Sequence, residues 1–215
     1  MTFTRRLLTT ALVAATIPSA WAQGTPDWRP SKPVRIVVPI VGSTNDVLAR
    51  LVAPELHKAF GQPFVVENKP GAGGNIGALD VSRAAPDGHT LLVGYNGPLA
   101  INVTLFDKMP YDPTKDLAPI TLAVKAPQYL VATPSAGFTS VQDFIAKVKT
   151  NPARYSYGSV AMGSASHLTM EMMKSAADFR MTHIPYRGAG PALADLIAGN
   201  VQAGFFVPGN VQGFV

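Results

Sequence analysis

The run Asn68-Lys69-Pro70-Gly71-Ala72-Gly73-Gly74-Asn75-Ile76-Gly77 constrains the fold more than any other stretch of this chain. It follows a β-rich segment, Phe64 to Glu67, and precedes an alanine-rich segment, Ala78 to Ala85, of helical character. Strand, glycine turn, helix is the arrangement in which a backbone presents unpaired N–H groups to an anion. The run lacks the Gly-Lys-Ser/Thr of a P-loop, and Ile76 stands where a dinucleotide fingerprint has its third glycine. Its expected role is therefore a tight turn for strand–helix packing.

The same alternation runs along the chain. Val34 to Val38 reads as a buried strand. Asp46 is expected to cap a helix whose apolar positions include Val47, Leu48, Leu51, Val52, Leu56 and Phe60, kinked or split at Pro54 and closed by Gly61. Phe64 to Glu67 is the second strand, Ile76 to Ala85 a helix, and Thr90 to Gly94 the third strand. This βαβαβ order predicts a parallel sheet covered by helices. Two more extended runs, Ile120 to Val124 and Tyr129 to Thr133, flank Lys125-Ala126-Pro127. A boundary is expected there, giving a first lobe over 23–125 and a second over 126–215. In the second, Ser140 and Asp143 open a helix. Strands follow at Tyr155 to Ser159, Thr182 to Ile184 and Ala203 to Val207, with helices at Ser166 to Ala177 and Ala192 to Ala198. The alternation breaks off at Val215, so a C-terminal part is expected to be missing.

Arg5 and Arg6, the apolar run Leu7 to Ile17 and the small-x-small triplet Ala20-Trp21-Ala22 form an export signal over 1–22. That apolar run is too short to span a bilayer. The absence of cysteine excludes a lipid-anchored cysteine, disulfides and thiolate chemistry. Without the signal, 16 basic residues face 13 acidic ones, a formal +3, and no run of like charge occurs. No nucleic-acid partner is expected from so even a distribution.

Several ordered motifs then combine: Pro30 to Arg35, Val66 to Gly77, Ala85 to Leu92, Tyr111-Asp112-Pro113, Ser166-His167-Leu168 and Ile184 to Gly188. Over Trp28 to Val215 the chain resembles the solute-binding proteins of tripartite tricarboxylate transporters, the Bug family. The resemblance implies an α/β fold of the periplasmic binding protein type II kind: two α/β lobes with a ligand cleft between them. It also implies a periplasmic location, a small carboxylate ligand, a membrane permease as partner, and no cofactor.

The grip is expected on loops at the carboxyl ends of the strands. The first is Pro39 to Asp46, with candidate residues Gly42, Ser43, Thr44, Asn45 and Asp46. It is one residue shorter than is usual in the family and lacks the Pro-Gly-Gly core. Asp46 there has helix capping as its main expected role. The second loop, Tyr95 to Pro98, offers Asn96. The third offers Gly163, Ser164, Ser166 and His167 at a helix start, where the dipole favours an anion. His167 is equally well read as a residue that packs its own helix. The fourth offers Tyr186 and Arg187. Phe206 stands where many family members carry Asp. The rival reading is a secreted hydrolase using Ser164 and His167. It lacks a nucleophile elbow and any third, orienting group. The four histidines, at 57, 89, 167 and 183, show no metal-ligand spacing.

Overall fold

The structure, a computed structural model, describes residues 28–214. The export segment 1–22 lies outside them. A three-stranded parallel sheet comes first, with β1 (Val34–Val38), β2 (Phe64–Asn68) and β3 (Thr90–Leu92) in the order β2-β1-β3. Helices α1 (Thr44–Phe60) and α2 (Asn75–Ser82) make the crossovers. The central strand is apolar except at Arg35, and Val34, Ile36, Val37 and Val38 are all buried, as expected of a strand covered on both faces. A π-helical turn, Gly97–Ile101, then runs into the short α3 (Asn102–Leu105).

The second sheet holds β4 (Tyr129–Ala132), β5 (Ser156–Ser159), β6 (Thr182–Pro185) and β7 (Ala203–Phe206), ordered β4-β7-β5-β6. β4 runs antiparallel to β7, and the other pairs are parallel. The helices are α4 (Val141–Thr150), α5 (Ala165–Ala177), α6 (Ala189–Ile197) and α7 (Pro208–Val211). Successive residues of β7 serve opposite faces. Phe205 joins Phe144, Tyr157, Met170 and Phe179, whereas Phe206 joins Leu193, Leu196, Val201 and Val211. Each such side chain contributes about 1.5–3 kcal/mol through burial. Two α/β sheets with helices, met by a cleft, form the architecture expected of a periplasmic binding protein.

Four local expectations are corrected. The N-cap of α1 is Ser43, in extended conformation, and Asp46 occupies the third helical position. The helix runs unbroken through Pro54, which is exposed, so water can meet the carbonyl that proline leaves unbonded. Val47 and Leu51 are exposed, because α1 lays its small residues Ala49 and Ala53 on the sheet instead. Ile120 to Val124 joins neither sheet, and Ile120 and Leu122 are 79% and 71% exposed. An apolar extended run becomes a strand only where a neighbouring edge supplies ladder hydrogen bonds.

Candidate functional site

The loops leaving β1 and β5 each end in a serine cap. Ser43 Oγ accepts from Asp46 N at 3.3 Å and donates to the Ile40 carbonyl at 2.9 Å. Ser164 Oγ accepts from His167 N at 3.4 Å and donates to the Ala161 carbonyl at 2.7 Å. Each cap satisfies the third amide of its helix. The first two, Thr44 and Asn45 in α1 and Ala165 and Ser166 in α5, keep N–H groups that the helix itself cannot satisfy. α6 opens differently: Gly188 precedes it without any side-chain cap, and Ala189 is its first residue.

All three helix starts meet at one cleft. Thr44 and Asn45 line it from the first lobe, Ala165 and Ser166 from α5, and Ala189 from α6. It spans about 470 Å3, its open mouth included. Ile40, Val160, Phe205, Phe206 and Val207 make its apolar wall, and Tyr95, Asn96, Gln128 and Asn210 its polar one. Among the described residues no charged side chain lines it. Amides and helix ends supply positive potential there. The two lobes also touch at the rim, where Asn210 Nδ2 donates to the Gly42 carbonyl at 3.3 Å.

Among the residues singled out from the sequence, Ser43, Thr44, Asn45, Asn96, Ser164 and Ser166 line this cleft. Asp46 lies behind the wall, buried. Its carboxylate accepts from Gly42 N at 2.9 Å, Asn68 Nδ2 at 3.0 Å and Arg50 Nε at 3.1 Å. Burial opposes its charge, but the Asn68 and Gly42 hydrogen bonds and the Arg50 cation outweigh burial and hold its pKa below the ordinary value. Asp46 thus anchors the loop from within. Gly163 N donates to His167 Nδ1 at 3.2 Å, tying that loop internally too. Tyr186 turns its hydroxyl to Asp195 at 2.6 Å, and Arg187 is exposed; neither lines the cleft. Gln128, Phe205 and Asn210 carry no sequence signal, because only the tertiary fold brings them to the wall.

His167 and His183, sixteen positions apart, stack at 4.1 Å with Tyr157 on the far side of His183. His183 Nε2 and Ser159 Oγ share a hydrogen bond of 2.6 Å. Glu171, bonded to Tyr157 and Lys174, completes the cluster. Burial, and then the neighbouring His167, pull His183 down to about 4, and burial also lowers His167. A histidine pKa depressed in the folded state contributes stability that is complete above about 6.5 and lost as pH falls from there through 4. The full shift corresponds to about 3 kcal/mol, and incomplete burial of the ring halves the expected loss. Melting temperatures followed from pH 7 to pH 4 should therefore fall more steeply in the wild type than in His167→Gln/His183→Gln. Parallel curves would remove the pair from the acid response.

The imidazole of His167 makes no hydrogen bond to the Ser164 hydroxyl, which already donates to Ala161. The nucleophile–base contact that a hydrolase needs is absent between them.

Residues 48–212 match the family described as "Tripartite tricarboxylate transporter family receptor". The chain belongs to that family. It is similar to R. palustris Rpa4515, solved with adipate (36% identity, TM-score 0.82, covering 86% of this chain and 62% of that one). MatC from Rhodopseudomonas palustris, with bound malate, is 34% identical with a TM-score of 0.79 (85% of this chain, 62% of that one). The periplasmic binding protein BugD is 33% identical with a TM-score of 0.78 (86% and 62%). The chain spans about three fifths of the length of the curated relatives it matches, 59% and 63% of the first two. The periplasmic binding protein fold implied by the sequence motifs is thus the fold of this family receptor.

Proposed function

We propose that this receptor-family chain is an extracytoplasmic solute-binding protein that captures a small mono- or dicarboxylate and presents it to the membrane permease of a tripartite transporter. One observation carries the reading: three helix N-termini share an uncharged cleft. Such a cleft stabilises an anion through fixed N–H dipoles, and among the described residues no acidic side chain on its wall meets an ammonium group. Adipate and malate in two related structures support the carboxylate assignment.

In this reading the free amides of Thr44, Asn45, Ala165 and Ser166 hold the carboxylate, with the Thr44 hydroxyl and Asn96 beside them. Gly42, Asp46, Gly163 and His167 shape the two loops from behind. Tyr186 and Arg187 bear on the turn that sets α6. Residues 23–125 and 126–215 act as lobes that close on the ligand by a hinge. Export by the 1–22 segment delivers the protein to the periplasm, and binding, not catalysis, is its activity.

Adipate and malate, each at a hundredfold excess over its dissociation constant, should add about 2.7 kcal/mol of stability. That raises the melting temperature by roughly 5–10 °C for a chain of this size. Glucose and zinc serve as controls. A clear shift with either control, and none across a carboxylate panel, would refute the assignment.

A further inference from the structure

The glycine run that dominates the sequence does not line the cleft, so its role must lie elsewhere. Gly73 has φ +61, and a Cβ there would stand 2.9 Å from the Met162 carbonyl oxygen of the second lobe. Beside it, a Cβ on Gly97 would stand 3.1 Å from the Gly163 carbonyl oxygen. Real side chains essentially never approach backbone as closely as the first distance and seldom as closely as the second, so the first lobe presents bare main chain where the second lobe's loop rests.

Asn102 completes this surface. It is fully buried, and its amide donates to Gly73 O at 2.9 Å and Asn75 Oδ1 at 2.6 Å. Tyr95 and Tyr111 brace the same groups. The Tyr95 hydroxyl donates to Gly73 O at 2.7 Å, and Tyr111 lies within 3.3 Å of Asn75 Oδ1. The remaining atom, Asn102 Oδ1, is buried without a hydrogen-bond donor among the described residues, and it faces Gly163 across the seam. Only the Cα–H side of that glycine meets it, a weak donor. A buried acceptor left this way is costly. Met162 and Gly163 lead directly into Ser164, the cap of α5.

We infer that Gly73 and Asn102 are positioning residues: they form a seat in the first lobe on which Met162 and Gly163 of the second lobe rest, and this contact sets the separation of the α1 and α5 N-termini across the cleft. Its bearing on ligand rests on the carboxylate-receptor reading; the seat itself does not. An alanine at position 73 pushes the loop off. Loss of Asn102 releases the turn that forms the seat.

The chain has no cysteine, so Lys58→Cys in α1 and Lys149→Cys in α4 accept spin labels without background. Pulsed electron paramagnetic resonance on the full chain then reads the distance between lobes, with and without adipate. We expect one narrow distance in the parent and a broadened or longer one, by several ångströms, in Gly73→Ala and in Asn102→Ser. Adipate dissociation should be at least about tenfold faster in both. Gly73→Ala deletes no member of the polar network, although its Cβ would also crowd Asn102 Nδ2 at 3.2 Å, so failure of Asn102→Ser to fold leaves the test intact. Unchanged distances in the folded variants overturn the seat, and so do altered distances with unchanged adipate release. A parent that ignores adipate while its variants show altered distances supports the seat and sinks the ligand assignment instead.

Discussion

Ser164→Ala combined with Ser166→Ala is expected to destabilise the protein by about 3 kcal/mol and to weaken carboxylate binding at least about tenfold. The hydroxyl protons of both serines point inward. Ser164 donates to the Ala161 carbonyl, so the 2.9 Å contact between the two hydroxyls is donated by Ser166. Ser166 Oγ in turn accepts Val160 N at 3.0 Å. The double substitution removes a helix cap, worth about 1 kcal/mol. It also strands the partly buried Val160 N–H, at about 1–3 kcal/mol. The melting temperature should drop by roughly 6–12 °C. Binding should weaken because the first turn of α5, which aims the Ala165 and Ser166 amides, loses what holds it. Calorimetric titration with adipate and a thermal melt read both effects. Retained affinity together with the stability loss would show that α5 does not grip the ligand. Lost stability of less than about 1 kcal/mol would contradict the inward hydrogen bonding.

Asp46→Ala is expected to cost about 2–4 kcal/mol and to loosen the first-lobe loop. Three donors converge on this buried carboxylate, from Gly42, Asn68 and Arg50. Arg50 is exposed enough to regain water, whereas the Gly42 amide and the Asn68 side chain are partly buried and lose their acceptor. Asp46→Asn keeps the shape and loses the charge, so a smaller cost is expected. It also changes the pH response. A depressed carboxylate contributes stability that is complete above its ordinary pKa, near 4, and lost as pH falls through its lower folded value. Asp46→Asn should therefore flatten the stability curve below about pH 4 relative to the wild type. Identical acid limbs would show that the Asp46 charge makes no such contribution.

The sequence carried the local architecture well. β1 falls on Val34–Val38 as its apolar run predicts, and Gly61 closes α1 in the left-handed region at φ 74. Ser140 caps α4, although Asp143 reaches back to Thr139 and not to the cap itself. Of the candidate cleft residues, Ser43, Thr44, Asn45, Asn96, Ser164 and Ser166 reach the wall because loop-to-helix junctions announce themselves through serine, asparagine and glycine.

What the sequence by itself determined is everything set by neighbours in the chain: strand runs, caps, turns, and the family to which the ordered motifs point. Tertiary structure alone decided the rest. It stacked His183 on His167, brought Gln128, Phe205 and Asn210 to the cleft, placed Asp46 behind its loop and left Ile120 exposed. It also gave the glycine run its place against Met162 of the other lobe. Periodicity and capping act over a few residues and are written in order. Contacts between lobes depend on how two sheets are set against each other, and that relation has no local signature for the chain to carry.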